Sequence, residues 1–320
     1  MTTRLAFAAV LTVGLVASSA QDGYPGDLAK LPPVRSHYVK PPGLSYQLAA
    51  PLPEGGRSTC PVFMTVPAAD VAAKVERLGR LLGVSGALIS TGESVLIHDW
   101  GRSSPSPSES RWVYGSRSDG TIRYVDTARL FRAAPEGMRL PTEEEAWTIA
   151  ERFLATTQLE LAGMKRDSIA YVFEQENPIG MTLAFRRTLE GSTMTGPGGK
   201  VYVDLGSGGD VVGLLYVWRP AVPMGDYPLA TVDQALQRMH EGGCVWVNIP
   251  DNATAVVLQE SAVAYWEEPP HSRQDFIQPV YVFKGRAFRH DKDIGEANVI
   301  VPAVASTHVT EGAPPSGPPS

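Results

Sequence analysis

The sequence predicts an α+β protein of two or three modules in tandem, each a capped helix followed by antiparallel strands. Residues 142–154 and 231–241 both open with a threonine, which is followed three residues later by Glu145 or Gln234. This spacing is a capping box, in which the hydroxyl and the acid or amide each bind a free backbone N–H. A β-rich stretch with turn signals follows each helix, and this order is typical of helices packed on one face of an antiparallel sheet.

The first module is expected over residues 59–135. Pro67 suits a helix start, apolar residues recur at spacings of four, three and four from Val71 to Leu82, and Gly83 can end the helix. Serine, aspartate and glycine before the last strand are a hairpin signal. Strands are predicted at 87–90, 94–99, 111–116 and 121–125.

The second module, residues 136–225, has the clearest pattern. Its helix is predicted over 143–157, with alanine, isoleucine, phenylalanine and leucine on one face. Two glycine-rich segments, 196–199 and 206–209, are interpreted as turns, because neither has the spacing of a phosphate loop or a nucleophile elbow. Strands are predicted at 168–175, 181–187, 200–205 and 211–217.

The third module, residues 226–306, begins with a short helix at 232–241 that two glycines end. Pro279 stands inside a predicted strand and indicates an edge position or a bulge, since proline cannot donate to the ladder. Strands are predicted at 255–266, 276–283 and 296–304.

Residues 1–20 have the layout of a cleaved secretory signal. Arg4 precedes the apolar run 5–16, and small residues lead to a cut after Ala20. The alternative is an uncleaved anchor helix, although the apolar run is shorter than the roughly 20 residues that span a bilayer. We therefore expect a secreted, extracellular or periplasmic protein without an integral membrane segment after signal removal.

The remaining ends are rich in proline and glycine. Residues 21–58 are expected to form an extended leader on the surface or in partial disorder, and residues 307–320 a disordered tail. The chain of 320 residues is 43% hydrophobic and 19% charged, which is a globular composition. Its net charge of -6 and lack of a polybasic run argue against nucleic acid or an electrostatic membrane anchor as partner.

No motif predicts catalysis, a metal or a cofactor. His240 and Glu241 begin like a zinc-protease helix, but Cys244 stands where the second histidine is required. His98 and His290 each precede an aspartate, yet neighbouring strand residues point to opposite faces and would not form an acid–base pair. The sequence therefore predicts neither a bound cofactor nor a metal site.

Aromatic residues crowd the third module. One interpretation is that alternating members fill the core; the other is a groove in which a partner peptide adds a strand to an exposed sheet edge. The candidate groove consists of Tyr265, Trp266, Phe276, Gln278, Tyr281 and Phe283.

Two cysteines and one sequon complete the candidates. In an oxidising compartment Cys60 and Cys244 are a disulfide candidate, and the alternative is two separate buried thiols. Asn252 begins an Asn-Ala-Thr sequon, a glycosylation acceptor if the host is eukaryotic.

Several of these segments resemble PepSY-type proteins, in particular exported regulatory proteins of the YycH/YycI kind. The helix opening at Thr142, the hairpin over 202–217 and the run from Tyr265 to Phe283 carry the resemblance, which covers residues 142–285 and extends more weakly to 67–130. It implies a noncatalytic exported module that binds or inhibits a peptidase or regulates an envelope signalling partner. It implies no catalytic residues.

We therefore expect an exported, noncatalytic protein that binds a protein or peptide partner in a regulatory or peptidase-inhibitory role. Two alternatives remain open at this stage. One is a secreted hydrolase whose active site is assembled from distant residues, since fold does not determine function. The other is a structural protein of the envelope or matrix, with the proline-rich ends as tethers.

Overall fold

A computed structural model describes residues 28–38, 40–49, 58–100, 109–130, 132 and 139–310. The predicted signal peptide with its cut at Ala20, and the tail from residue 311 onward, lie outside these residues. The helices are α1 (Val71–Leu81), α2 (Glu143–Thr157) and α3 (Val232–His240). The strands are β1 (Ser45–Leu48), β2 (Thr59–Thr65), β3 (Leu88–Ser90), β4 (Ser94–His98), β5 (Arg111–Ser116), β6 (Ile122–Asp126), β7 (Met164–Glu174), β8 (Asn177–Leu189), β9 (Ser192–Thr195), β10 (Lys200–Leu205), β11 (Val211–Val217), β12 (Ala221–Pro228), β13 (Trp246–Asn248), β14 (Ala255–Trp266), β15 (Phe276–Arg289) and β16 (Lys292–Pro302).

The predicted fold class is wrong: the protein is mostly β, and its modules are not stacked in tandem. All sixteen strands of the described residues join in one mixed sheet. β6 of the predicted first module pairs with β11 of the second, with Ile122 opposite Tyr216 and Val125 opposite Gly213. β12 likewise returns to pair with β2. An alternating pattern indicates that a segment is a strand but does not specify its neighbour.

The first sheet region is an antiparallel run of eight strands in the order β3-β4-β5-β6-β11-β10-β8-β7. α1 packs on β4 and β5, α2 packs on β8, and the two helices contact each other. Gly115 permits the close approach of α1, because a Cβ there would lie 2.6 Å from side-chain atoms of Val71 and Val75. The helices therefore cover one face of this region and enclose its apolar core.

The second sheet region is built on the meander β14-β15-β16. β13 pairs with β16, β1 runs parallel to β14, and β2 joins the first residues of β15 and carries β12. α3 packs on β1 and β16 and encloses a second core. The leader contributes to this region through β1 and through Leu31 and Tyr46, which are 0% and 4% exposed.

β9 connects the two regions. It forms a hairpin with β8 at Thr188 and Leu189, and it also runs parallel to the end of β14, with Met194 opposite Tyr265. The first and second regions therefore meet along β9, and side chains of both line a common cleft there.

The local predictions fared better than the fold class. All three helices are confirmed, as are both capping boxes: the Thr142 N–H donates to Glu145 (2.8 Å) and the Thr231 N–H to Gln234 (3.0 Å). Pro279 is buried inside β15, which has strands on both sides rather than an open edge. It lies where the neighbour of β15 changes from β2, which ends at Ile277, to β16, which begins at Val280.

Candidate functional site

A cleft of about 640 Å³ lies where the two sheet regions meet at β9. We call it the intersheet cleft. One wall comes from the first region, the other wall and the floor come from the second, and the glycine turn after β9 closes one end. Its lining includes Asp167, Arg186, Lys200, Trp246, Ala262, Trp266, Val282, Lys284 and Ile300.

The floor of the cleft is apolar because strand alternation places small and branched side chains there. Ala262 of β14 lies opposite Val282 of β15, and Val282 lies opposite Ile300 of β16, so the three side chains share one face. Trp246 of β13 extends this row opposite Ile300 and is 39% exposed. Trp266 closes the other end of the floor and is only 2% exposed. The floor is therefore a short apolar trough between two indole rings.

The first wall carries an ion pair that is complete in itself. Arg186 on β8 donates to both carboxylate oxygens of Asp167, from Nε at 3.1 Å and from Nη2 at 2.7 Å. Its Nη1 donates to the carbonyl oxygen of Met194 on β9 (3.2 Å). This two-pronged geometry fixes the guanidinium and neutralises its charge within the protein.

Two lysines face the same cleft without such partners. Lys200 begins β10 opposite Arg186, and Lys284 stands on β15 in the opposite wall. Among the described residues, neither ammonium group forms a hydrogen bond or an ion pair. The cleft therefore presents two cations whose charge no neighbouring group neutralises through a direct bond.

The pKa of one of these two lysines, Lys200, is shifted by its surroundings. Burial lowers the pKa of Lys200 from its ordinary value, and the positive charge of Arg186 lowers it further, while Asp167 opposes the shift. A desolvated ammonium without a partner is unfavourable in the isolated protein and becomes favourable when an anion binds. Lys200 therefore has the electrostatics of a ligand-binding residue.

The glycine turn at 196–199 positions Lys200 and confirms the interpretation of this segment as a turn. Gly196 and Gly199 have φ values of 91° and 63°, in the left-handed region. Gly198 packs against the second region, where a Cβ would lie 2.5 Å from Cγ of Glu267 and 2.6 Å from the Glu268 carbonyl oxygen. The turn thus presses the start of β10 against the end of β14.

A buried charged cluster lies behind this turn. Arg219 is 2% exposed and Glu267 is 0% exposed, and their side chains meet at 3.2 Å. The guanidinium also donates to the carbonyl oxygens of Glu268 (2.7 Å), Pro269 (2.7 Å) and Ser272 (2.9 Å). These bonds join the segment after β11 to the loop between β14 and β15, so the cluster holds the two regions together.

Strand alternation divides the residues of the predicted aromatic groove between two faces. Tyr265, Tyr281 and Phe283 point into the inner core and are at most 3% exposed, as expected for core-filling members. Trp266 faces the intersheet cleft. The last two members, Phe276 and Gln278, line a separate cleft of about 240 Å³, where the Gln278 amide donates to the carbonyl oxygen of Pro32 (2.8 Å).

The cysteines lie apart, in separate parts of the second region. Cys60 contacts the Tyr265 hydroxyl (3.2 Å) in one apolar cluster, and Cys244 is buried in another. Within the described residues no disulfide joins them, in agreement with the alternative of two buried thiols. Burial raises the pKa of the Cys244 thiol to about 12. Asn252 is exposed in a turn before β14, and its glycosylation stays a prediction.

The histidines flagged by the sequence lie in separate surroundings. The His98 ring contacts Trp100 (5.9 Å), and His290 is exposed in the turn between β15 and β16. His37, which sequence analysis did not single out, bonds to Glu268 through Nε2 (2.9 Å) and ties the leader to the loop after β14. No group of three or more potential metal ligands occurs in the part of the chain that the structure describes.

Comparisons with known proteins identify no family. The sequence matches no protein-family model and no curated protein. The fold is similar to a solved structure of an uncharacterized protein from Eubacterium rectale, at 7% identity and a TM-score of 0.42, covering 82% of this chain and 88% of that one. It is also similar to the C-terminal domain of YpeB from Bacillus megaterium, at 12% identity and a TM-score of 0.35, covering 73% and 98%. Neither likeness is strong enough to assign a fold or a function.

Within the described residues, no helix has the length and apolar character that crossing a membrane requires.

Proposed function

We propose that this protein is an exported, noncatalytic binding protein whose intersheet cleft holds an extended segment of a partner protein. Apolar side chains of that segment rest on the floor between Trp246 and Trp266, and one of its acidic side chains lies against Lys200 and Lys284. A regulatory or inhibitory role agrees with the sequence resemblance to PepSY-type proteins. Export rests on the signal-like residues 1–20.

One observation carries the proposal: two unpartnered lysines, one of them half-buried, face an apolar trough. Charge complementarity then specifies the occupant. Arg186 is neutralised by Asp167, so the net character of the rim is cationic. A carboxylate between the two lysines would neutralise this positive charge. The apolar floor favours a peptide, whose flanking side chains it can bind, over a free small acid.

The polar groups of the cleft favour binding over catalysis. Its charged side chains are two cations and one ion pair, which orient and hold an anion. A hydrolase would instead place a nucleophile and a base within hydrogen-bond reach of each other. Trp246 at one end of the floor offers the rigid aromatic surface that is enriched at binding hot spots.

The test is selection from a phage-displayed dodecapeptide library on the purified full chain, followed by synthesis of the enriched peptides with fluorescent labels. We expect enrichment of peptides with an acidic residue flanked by apolar ones. Replacing that residue by its amide should weaken binding roughly tenfold, since a hydrogen bond to a charged group contributes about 1.5–3 kcal/mol.

The matched variants are Lys200→Met with Lys284→Met in the cleft, and Lys292→Met at the exposed start of β16 as control. The cleft variant should lose the preference for acidic peptides, and the control should keep it. Enrichment of peptides without acidic residues, or an acidic preference that survives in the cleft variant, would refute the proposal.

A further inference from the structure

The face of the first sheet region opposite its helices continues directly from the intersheet cleft. Along β10, Lys200, Tyr202 and Asp204 alternate with buried core residues, so their three side chains share this face. Lys200 lines the cleft, and Tyr202 and Asp204 follow it along the strand. Tyr202 lies opposite Leu215 of β11, and Asp204 lies opposite Thr182 of β8. We call the surface formed by these last four residues the outer face.

Asp204 is a carboxylate held in a fixed position on the outer face. The Thr182 hydroxyl donates to its Oδ1 (2.6 Å). The carboxylate also fills the space over Gly213 of β11, where a Cβ would lie 3.1 Å from Cγ of Asp204. Burial raises the pKa of the half-buried Asp204 carboxyl, while the Thr182 bond and the charge of Arg123 oppose the shift. The ionised carboxylate is therefore unfavourable in the isolated protein and becomes favourable when a cation binds.

Asp204 forms no ion pair with any cation of the described residues. Arg123 of β6 is on the same side of the sheet, opposite Leu215, but its guanidinium lies over the ring of Trp112 (5.5 Å). Lys200 is four residues away on β10, which is roughly 13 Å along a strand. Asp204 is therefore the anionic counterpart of Lys200, a half-buried charge on the ligand side that a group of opposite charge would neutralise.

We propose that Asp204 binds a basic side chain of the same partner segment, four positions before or after the acidic residue that Lys200 and Lys284 hold. This inference rests on the proposed function and adds a second residue that determines specificity. An extended segment beside β10 advances by about 3.3 Å per residue, as β10 itself does, and alternates its side chains. Residues four positions apart then face Lys200 and Asp204 together, and the residue midway between them rests on Tyr202. Charge complementarity at both ends fixes the register of the segment.

The experiment compares the dodecapeptides that the phage library yields on the full-length wild type and on Asp204→Asn. On the wild type we expect a basic residue four positions from the enriched acidic one. Asp204→Asn keeps the side-chain volume and an oxygen that accepts from Thr182, so it should keep the acidic preference and lose the basic one. Asp226→Asn, at an exposed residue of β12, is the matched control and should keep both preferences.

A second measurement uses a fluorescently labelled peptide from the wild-type selection and its version with glutamine in place of the basic residue. The wild type should bind the glutamine version roughly tenfold more weakly, because the bond between two charged groups is lost. Asp204→Asn should bind both versions alike. Urea unfolding at neutral pH should show this variant to be no less stable than the wild type, because a carboxyl with a raised pKa is destabilising when ionised.

The outcomes separate this inference from the proposed function. An acidic preference without a basic residue at the stated spacing, or a basic preference that survives in Asp204→Asn, would overturn the role of Asp204 and leave the cleft as a peptide site. Loss of the basic preference in Asp226→Asn as well, or a clear loss of stability in Asp204→Asn, would also overturn it. Selection of peptides without acidic residues, or of no peptide, would refute both proposals.

Discussion

Arg219, which is buried, and Lys200, which is half-buried, are two cations on either side of the glycine turn, and their bonding partners differ completely. Arg219 has a carboxylate and three carbonyl oxygens within 3.2 Å. Lys200 has no bonding partner among the described residues. A buried guanidinium whose two terminal nitrogens are both satisfied belongs to the architecture, because its removal leaves unpaired groups behind. A half-buried charge with none satisfied is a mark of a ligand site.

The largest expected effect is on stability, from Arg219→Met. It leaves the carboxylate of Glu267 buried without its cation, which costs about 3–5 kcal/mol. Urea unfolding followed by fluorescence should show this loss. Arg273→Met is the matched control in the same loop, because its ion pair with Asp275 is exposed and contributes about 0–1 kcal/mol. If the two variants lost the same free energy of unfolding, the Arg219 cluster would contribute no more to stability than an exposed ion pair.

Gly198→Ala should have the next largest effect, because Gly198 touches the cluster from the side of the cleft. The added methyl group would displace Glu267 and the Glu268 carbonyl, at a cost of about 1–3 kcal/mol. Gly92→Ala is the control, since nothing lies within 4 Å of its Cβ position. Thermal or urea unfolding of both variants would measure the difference. A neutral Gly198→Ala would show that the two regions adjust to each other more freely than the packing indicates.

The smallest effect concerns pH and Lys200. Since burial lowers the pKa of Lys200, its ammonium should lose the proton below the usual lysine value of about 10.4. Affinity for an acidic peptide should therefore fall, by about tenfold, as pH rises through this lowered pKa. Lys200→Arg keeps its charge and should hold affinity to higher pH. Fluorescence polarisation at constant ionic strength measures the affinity of the wild type and of Lys200→Arg at each pH. Coincident pH profiles of the two proteins would show that Lys200 does not bind the acidic residue.

The same shift has the opposite sign for folding. The charged form of Lys200 is disfavoured in the folded state, so its cost is fully present below the folded pKa. As pH rises through that value toward the unfolded pKa, the cost is relieved and wild-type stability increases relative to Lys200→Met. At neutral pH, Lys200→Met should therefore unfold no more easily than the wild type, in contrast to Arg219→Met.

Sequence patterns predicted most elements but not the sheet. Strands with strong alternation, such as β10 and β14, were predicted with the observed bounds. β1, β2, β9, β12 and β13 were not predicted, since each is short, carries proline or glycine, or lies in the leader. The pairing of β6 with β11 joins residues almost a hundred positions apart. A local alternation pattern carries no information about a contact between residues so far apart in the sequence.

The candidate site was predicted only in part, and the reason is again pairing. Trp266 was singled out as an aromatic of the third module and does line the cleft. Neither Lys200 nor Lys284 was singled out from the sequence as a site residue. Single lysines on strands carry no signature. Their significance comes from the missing carboxylates around them, and only coordinates show that neighbourhood.

What the amino-acid sequence determined by itself was local: three helices with two capping boxes, the glycine turns and the core face of most strands. Each depends on interactions within a few residues, such as the threonine hydroxyl with the third N–H of its helix. Tertiary structure alone decided that the strands form one sheet, that Lys200 and Lys284 face a common cleft, and that β7 is left at the edge. Backbone ladder bonds are chemically the same in every strand, so the choice of neighbour is made by the packing of the whole chain.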